Sequence, residues 1–264
     1  MGALARVDGM ESLDGLRLGA LQDSLPLIEN PQEIRKRAAR DGFLFFHGLL
    51  QEDVVSPLRC CVLDYASRIG WLDSTDPRGE ARAAPGKRIG DSQDPEWVGL
   101  QVHLQNRPQM RALGHAPAIC RALHAMDSRS SNLCLSSANI CRVFSPHADL
   151  ATPPHQDANY VRLMTDFWTA WIPLEDCPRE LGPIALLAGS HAGGLREHCD
   201  RGIADCAATA SADAMWRTTD FRCGDVVLFR SHTVHRALPN LSKDRLRLSA
   251  DFRYGFWGET TEVA

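Results

Sequence analysis

The first part of the chain carries apolar residues at helical spacing. Asn30, Pro31 and Glu33 predict a helix start, because Asn caps free amide groups and Pro fits the first turn. We expect this helix to end at Gly42, where glycine readily adopts the left-handed conformation of a helix end. A second helix is predicted from Glu52 to Ile69. Its apolar face comprises Val54, Leu58, Cys61, Val62, Tyr65 and Ile69.

The later part of the chain is dominated by short apolar runs bounded by Gly, Pro and polar residues, a pattern typical of strands. Strands are predicted over 43–46, 167–174, 182–188, 226–229 and 245–253, with an extended stretch over 132–144. Two short helices are predicted over 107–113 and 117–126. Helices followed by short strands favour an α+β fold with a double-stranded β-helix, the jelly-roll or cupin-like core, and flanking α-helices.

We predict a single domain over residues 1–264, with its core at about 31–254, because no repeat or linker divides the chain. Residues 1–29 lack a clear pattern and are expected to wrap the surface. Residues 72–95 are rich in Asp, Pro, Gly, Ala and Arg without periodicity. A loop of this length is either functional, here a lid-like loop over a site, or disordered. Residues 192–215 receive no structural prediction.

Composition narrows the classes of partner. The chain has 44% hydrophobic and 23% charged residues and a net charge of −4, without a long run of one sign. These values argue against nucleic acid or an anionic membrane as a partner. No apolar stretch approaches the length of a membrane span. The nine cysteines form no Cys-x-x-Cys motif, which indicates buried thiols and a cytoplasmic location rather than zinc binding.

Candidate metal ligands lie in the stretch Pro153-Pro154-His155-Gln156-Asp157. Side chains two apart on an extended backbone point to the same face, so His155 and Asp157 can converge on one ion. With one remote histidine they would form a 2-His-1-carboxylate triad, which leaves open positions and suits Fe(II). The remote histidine is His232 or His235. A second His-x-Asp, at 147–149, is an alternative that lacks the long apolar run following Asp157.

The ordered set of motifs over about residues 31–254 resembles the phytanoyl-CoA dioxygenase family of Fe(II)/2-oxoglutarate-dependent oxygenases. The matching motifs are Asp41-Gly42-Phe43, His155-Gln156-Asp157, Trp171-Ile172-Pro173-Leu174-Glu175-Asp176, Gly189-Ser190-His191, Gly224-Asp225-Val226-Val227-Leu228-Phe229, His235, Pro239-Asn240-Leu241-Ser242 and Arg245-Leu246-Arg247-Leu248-Ser249. Each motif is short, and their common order carries the resemblance. It implies a jelly-roll core and, of the two candidate histidines, His235 as the third ligand. His191 is expected to support the ligands or to have a structural role, and not to bind the metal.

The resemblance also implies an arginine about eleven residues after the last ligand, to bind the distal carboxylate of 2-oxoglutarate. Arg245 and Arg247 lie ten and twelve residues after His235. We favour Arg247, because Ser249 places a hydroxyl beside its guanidinium on the same strand face. Arg245 is the alternative, and either could instead pair with Asp251 or Glu175. Trp171 and Glu175 are expected near the pocket.

The implied activity is hydroxylation, or another oxidation, of an unactivated C–H bond in a small molecule, for which a biosynthetic intermediate is the expected class, with release of succinate and CO₂. Fe(II), 2-oxoglutarate and O₂ would be required. Asp157 occupies the position that a small residue takes in related halogenases, so halogenation is not expected. The alternatives are a jelly-roll ligand-binding protein and a cupin-type metalloenzyme that does not use 2-oxoglutarate. A monomer or homodimer is expected, and the sequence leaves the substrate open.

Overall fold

The computed structural model describes residues 5–7, 10–13, 16–75, 79–89, 93–127, 133–135, 137–146, 151–161, 166–199, 202–203 and 215–256. The helices are α1 Pro31–Asp41, α2 Glu52–Arg68, α3 Pro95–Gln105, α4 Pro108–Gly114 and α5 Pro117–Met126. The strands are β1 Ala5–Val7, β2 Met10–Leu13, β3 Leu16–Ala20, β4 Phe43–Phe46, β5 Leu133–Leu135, β6 Ile140–Phe144, β7 Trp168–Pro173, β8 Ile184–Leu187, β9 His198–Cys199, β10 Gly202–Ile203, β11 Met215–Thr218, β12 Val226–Arg230, β13 His235–Ala237 and β14 Arg247–Phe256.

Among the described residues the strands form two six-stranded sheets and a two-stranded ribbon. The first sheet has the order β4-β12-β7-β14-β5, and β6 also pairs with β14. These neighbours are all antiparallel. The second sheet has the order β1-β2-β3-β11-β8-β13, in which β3 and β11 are parallel. The fold therefore combines helices with mainly antiparallel sheets.

Alternation along β4 shows how the layers pack. Phe43 and Phe45 belong to a buried cluster that also includes residues of the second sheet such as Leu186. Leu44 and Phe46 point the other way, into a larger cluster with the helices. Because neighbouring strand residues face opposite sides, the first sheet is covered by the second sheet on one face and by helices on the other. The inner faces of the two sheets therefore surround the region where the site lies.

The predicted helix ends are confirmed at α1. The Asn30 side chain accepts a hydrogen bond from the Glu33 amide at 3.3 Å, and Pro31 occupies the first turn. Gly42 closes the helix with φ of 82°. Its carbonyl oxygen accepts from the Arg230 amide and from Thr233 Oγ1, which ties this corner to the turn before β13. The helix end therefore also fixes the segment that leads to His235.

The predicted face of α2 was wrong at Val54, which is 36% exposed. Val55 is buried instead, together with Leu58, Val62 and Ala66. These residues fall on one stripe with helical spacing, and Val54 lies beside that stripe.

Helix α3 was not predicted. Its start is capped by Asp94, whose side chain accepts from the Glu96 amide at 2.8 Å. Leu100 and Leu104 are buried, but Val98 and Val102 are exposed. This scatter of apolar residues around the helix conceals the periodicity.

The N-terminal segment does more than wrap the surface, because β3 joins the second sheet beside β11. Leu18 is 4% exposed and packs in a cluster with Trp216. Leu16, Leu18 and Ala20 alternate with Arg17 and Gly19, a pattern too short to identify from the sequence.

Residues 79–89 of the predicted loop pack beside the start of β14. The Leu246 amide donates to the Ala81 carbonyl at 2.8 Å, and the Ala83 amide donates to the Asp244 carbonyl at 2.6 Å. Ala81 and Ile89 are buried. This part of the loop is thus attached by backbone hydrogen bonds, while a lid-like role remains a prediction.

No helix in the described part of the chain combines the length and hydrophobicity that crossing a bilayer requires.

Candidate metal centre and co-substrate cavity

His155 and His235 are held opposite each other by the backbone. The His155 amide donates to the His235 carbonyl at 2.9 Å, and the His235 amide donates to the His155 carbonyl at 3.0 Å. Gln156 is extended, with φ −121° and ψ 131°, and Asp157 begins a 3-10 turn. Because the preceding Pro153 and Pro154 restrict the chain to extended conformations, the approach to this bridge is set locally.

The structure brings the three predicted ligands into one cluster. Asp157 Oδ1 lies 3.8 Å from His155 Nε2 and 3.6 Å from His235 Nε2. One candidate ligand atom from each residue lies within 4.8 Å of the others. The side chains are buried, with exposures of 4% for His155, 2% for Asp157 and 5% for His235. A buried convergence of two imidazoles and a carboxylate can hold a divalent ion.

The hydrogen bonds of the two imidazoles orient their donor atoms. His155 Nδ1 donates to the Pro153 carbonyl at 2.8 Å, and His235 Nδ1 donates to the Thr233 carbonyl at 2.9 Å. A carbonyl oxygen only accepts, so each Nδ1 carries the proton and each Nε2 presents its lone pair to the cluster. Burial lowers the pKa of both imidazoles, in His155 well below the usual range. Both are therefore neutral at pH 7, as metal binding requires.

The second oxygen of Asp157 is held by groups that the sequence did not reveal. Thr169 Oγ1 donates to Oδ2 at 2.7 Å, and Arg253 Nε and Nη2 each lie 3.2 Å from the same atom. Burial alone would raise the pKa of Asp157, but Arg253, the two imidazoles and Thr169 outweigh it and hold this pKa below its usual range. Asp157 is thus ionised, with Oδ1 facing the histidines.

The other histidines lie apart from the cluster. His232 is not among the converging groups found in the described residues, and its carbonyl accepts from Gln156 Nε2 at 2.7 Å. His191 Nε2 donates to the Ala39 carbonyl at 3.1 Å, close to the Gly42 corner. His191 therefore has a structural contact, as expected. The alternative pair His147 and Asp149 lies outside the described residues.

A cavity lined by His155 and His235 extends to two of the four predicted co-substrate residues. Arg247 and Trp171 line it. Arg247 is 2% exposed, donates through Nη1 to Ser249 Oγ, and stacks on the Phe144 ring at 4.1 Å. Burial lowers the pKa of Arg247 to about 10, and it remains charged at neutral pH. The described residues place no carboxylate within ion-pair distance of it, and its Nε lacks a hydrogen-bond partner among them.

Arg245 forms the contact with Glu175 that the sequence analysis considered as the alternative to binding 2-oxoglutarate. Its Nη2 lies 3.6 Å from Glu175 Oε1, and Arg59 Nη2 lies 2.9 Å from Glu175 Oε2. Arg59 also donates to the Gly79 carbonyl at 2.6 Å. Glu175 therefore joins α2, the loop after Gly79 and the segment before β14, and Arg245 points to that junction.

Two further charged residues line the cavity: Arg142, which sequence analysis missed, and Asp251, which it considered only as an ion-pair partner of Arg245 or Arg247. Arg142 on β6 donates through Nε to Asp251 Oδ2 at 2.9 Å, and both residues line the cavity. Arg253 Nη2 lies 3.6 Å from the same Asp251 oxygen. One feature of the sequence could have indicated these residues. Polar side chains occupy every second position of β14, at Arg247, Ser249, Asp251 and Arg253, and such residues share one face of the strand.

The phytanoyl-CoA dioxygenase (PhyH) family profile matches residues 39–248 of the chain. A 1-deoxypentalenic acid 11-beta-hydroxylase from Streptomyces arenae is 36% identical over 250 residues, covering 88% of this chain and 83% of the relative.

Two crystal structures share the fold. The non-haem alpha-ketoglutarate-dependent carbocyclase SnoK from nogalamycin biosynthesis has a TM-score of 0.63 at 24% identity, covering 89% of this chain and 87% of SnoK. The epimerase SnoN, in complex with Fe³⁺, alpha-ketoglutarate and nogalamycin RO, has a TM-score of 0.59 at 22% identity, covering 86% of this chain and 84% of SnoN.

Proposed function

Because the chain belongs to the phytanoyl-CoA dioxygenase family, we propose that His155, Asp157 and His235 hold the iron of a 2-oxoglutarate-dependent hydroxylase. One observation carries this proposal. The two imidazoles of the buried cluster, His155 and His235, line a cavity together with the buried cation Arg247, which forms no ion pair with a carboxylate among the described residues. Such a cavity suits a ligand with a metal-binding end and a carboxylate at the other end.

The enzyme is an Fe(II)/2-oxoglutarate-dependent oxygenase that consumes O₂ and releases succinate and CO₂ as it oxidises its substrate. When bound, Fe(II) supplies the activation of O₂ for attack on an unactivated C–H bond. His155 Nε2, His235 Nε2 and Asp157 Oδ1 would hold the ion, and a ligand set of this kind is open to a co-substrate and to O₂. Asp157 fills the carboxylate position, so we expect hydroxylation and not halogenation.

We further propose that Arg247 and Ser249 bind the distal carboxylate of 2-oxoglutarate. Arg247 is buried in the cavity and retains donors for a planar anion. Arg245 instead forms an ion pair with Glu175. Trp171 forms part of the cavity wall.

We propose that the two facing sheets are the double-stranded β-helix of this enzyme class. The shared inner cluster and the structural similarity to SnoK support this proposal. The site then lies between the sheets, with His235 on the second sheet and β14 on the first.

The substrate is proposed to be a small molecule of a biosynthetic pathway. The relative named above hydroxylates 1-deoxypentalenic acid, and this compound is the first substrate to test. Product formation would be followed by mass spectrometry, with succinate measured in parallel.

Anaerobic titration with Fe(II) and 2-oxoglutarate tests the proposed site directly. We expect the weak visible charge-transfer band of a chelated 2-oxo acid. His155→Ala should abolish the band, and His232→Ala, which changes a histidine outside the cluster, should retain it. A band that survives in His155→Ala, or is lost only in His232→Ala, would refute the ligand assignment.

A further inference from the structure

Two arginines converge on one histidine among the helices, outside the cavity that the metal cluster lines. Arg68 Nη2 lies 3.1 Å from His103 Nε2, and Arg107 Nη2 lies 3.2 Å from the same atom. A guanidinium nitrogen only donates a hydrogen bond, so His103 Nε2 accepts and the imidazole is neutral. Two positive charges therefore share one neutral acceptor. We call Arg68, His103 and Arg107 the basic triad.

Three helices meet at the basic triad. Arg68 is the last residue of α2, His103 lies in the last turn of α3, and Arg107 directly precedes α4. The His103 ring packs against Tyr65, with ring centroids 5.2 Å apart. Arg68 Nε donates to the Asp64 carbonyl at 3.2 Å, and Arg107 Nε donates to the His103 carbonyl at 3.4 Å. Backbone contacts therefore orient both guanidinium groups and leave their Nη1 donors without a hydrogen-bond partner among the described residues.

The basic triad is short of negative charge. In the part of the chain that the structure describes, no carboxylate lies within ion-pair distance of Arg68 or Arg107. Burial, Arg107 and Arg68 lower the pKa of His103, and Asp64 is the facing acid that raises it. Residues 97–126 contain three arginines and neither Asp nor Glu, although the chain has a net charge of −4. The triad therefore lies in a locally basic part of an acidic protein, where an anion is favoured.

We propose that the basic triad binds a tetrahedral oxyanion, either inorganic phosphate or the phosphate group of a phosphomonoester. On binding, Arg68 and Arg107 donate to oxygens of the anion in place of His103 Nε2. His103 takes up a proton from solvent and becomes the third donor. Three cationic donors match the three free oxygens of a phosphate group, whereas a carboxylate offers two. The site uses none of the residues assigned to iron or to 2-oxoglutarate.

NMR of the histidine side chains in the full chain tests this site. The His103 signals are assigned with His103→Gln, and the pKa of His103 is measured in inorganic phosphate and in sodium chloride at equal ionic strength. We expect phosphate to raise the pKa of His103 by about one pH unit, which corresponds to roughly tenfold tighter binding to the protonated ring. The anion offsets the two guanidinium charges that oppose protonation. Asp64 is the same in both salts, and burial raises the pKa of Cys61, which faces Arg107, away from neutral pH, so neither group mimics the effect.

Removal of either arginine should weaken the binding of phosphate, measured by titration of the His103 signals at fixed pH. We expect Arg68→Met and Arg107→Met each to raise the dissociation constant roughly tenfold, as the loss of a charge-assisted hydrogen bond predicts. Arg121→Met is the matched control, because Arg121 is an exposed arginine on α5, the next helix of the chain. It should change the constant by less than about twofold, since contact and not overall charge is the proposed cause. Circular dichroism identifies any variant that fails to fold, and the corresponding Lys variant then replaces it.

Phosphate that leaves the His103 signals unchanged, or that shifts only other histidines, overturns the proposed site. A response to acetate as strong as that to phosphate overturns the assignment to a tetrahedral oxyanion. A loss of affinity in Arg121→Met equal to that in Arg107→Met also overturns it, because overall charge is then the cause. Phenyl phosphate distinguishes the two sources of the anion: tighter binding than inorganic phosphate identifies a phosphomonoester, and equal or weaker binding identifies free phosphate. None of these measurements involves iron, so they are independent of the proposed function.

Discussion

Asp157 is fixed by different partners at each oxygen. Oδ1 faces His155 and His235, and Oδ2 accepts from Thr169 and Arg253. These contacts orient the carboxylate before any ion binds. They also neutralise part of its charge, so that a buried anion is tolerated next to two neutral imidazoles.

Loss of the Arg253 contact is expected to weaken metal binding. Arg253→Met removes the donor from Asp157 Oδ2, and changes of this kind next to metal ligands typically cost about 10–100-fold in affinity. Calorimetric titration with Mn(II) measures the effect, and Arg253→Lys should retain part of the affinity. An unchanged Mn(II) affinity in a folded Arg253→Met protein would show that Asp157 does not need this contact.

Burial also separates the cysteines by reactivity. Burial raises the pKa of the Cys177 thiol to about 12, and it raises the pKa of the buried Cys141 thiol strongly as well. The thiolate is the reactive form, and its fraction at pH 8 falls as the pKa rises. We expect iodoacetamide at pH 8 to modify the exposed Cys60 before Cys141 and Cys177, which it should spare. Peptide mapping by mass spectrometry gives the order, and early labelling of Cys177 would contradict the folded environment described above.

At the scale of elements, strand register assembles the site. Thr169 and Arg253 are direct cross-strand partners on β7 and β14, and Arg142 and Ser249 are partners on β6 and β14. A shift of one residue would turn each of these side chains to the opposite face of the sheet. The inward series Arg247, Ser249, Asp251 and Arg253 therefore depends on the pairing of β14 with both neighbours.

The corner between α1 and β4 offers a direct test of local geometry. Gly42 has φ of 82°, and a Cβ atom there would meet the His191 ring and Thr233 Oγ1. Gly42→Ala should lower the free energy of unfolding by about 1–3 kcal/mol through backbone strain and contact. Gly70→Ala is the control, because Gly70 has φ of 74° but open space around its Cα.

Urea denaturation measures both variants. We expect Gly70→Ala to cost only the strain of the left-handed conformation, about 1 kcal/mol. If both variants lower the free energy of unfolding equally, the contacts of the added methyl group with His191 and Thr233 do not destabilise the fold.

At the scale of the whole molecule, the N-terminal segment completes the second sheet. Leu18 is buried with Ala185, Leu187, Trp216 and Val234. Val234 directly precedes His235, and its amide donates to Ser190 Oγ at 2.9 Å. The packing of the chain start therefore extends to the strand that carries a proposed ligand.

Leu18→Ala is expected to lower the free energy of unfolding by about 2–4 kcal/mol, because it removes buried methyl groups and leaves a cavity. Val102→Ala is the comparison, since Val102 is 66% exposed, and we expect a change within about 0.5 kcal/mol. Urea denaturation of the two variants provides the measurement. A loss in Leu18→Ala as small as that in Val102→Ala would contradict the described packing of β3.

The sequence by itself determined the features that depend on neighbouring residues. Asn30, Pro31 and Gly42 set the limits of α1 through capping and backbone preference. The His155-x-Asp157 spacing on an extended backbone predicted two side chains on one face, and the ordered motifs indicated the family that the comparison shows. The assignment of these residues as iron ligands stays a prediction until the titration is made.

Only the tertiary structure decided which distant groups meet. Arg247, the first residue of β14, lies in the cavity, whereas Arg245, two residues before it, lies against Glu175. Arg253 reaches Asp157 although the two residues are 96 apart in the chain. Arg142 reaches the cavity because its strand, β6, pairs with β14. The physical reason is that backbone preference and periodicity act over a few residues, whereas these contacts arise from sheet register and burial, which couple positions far apart in the chain.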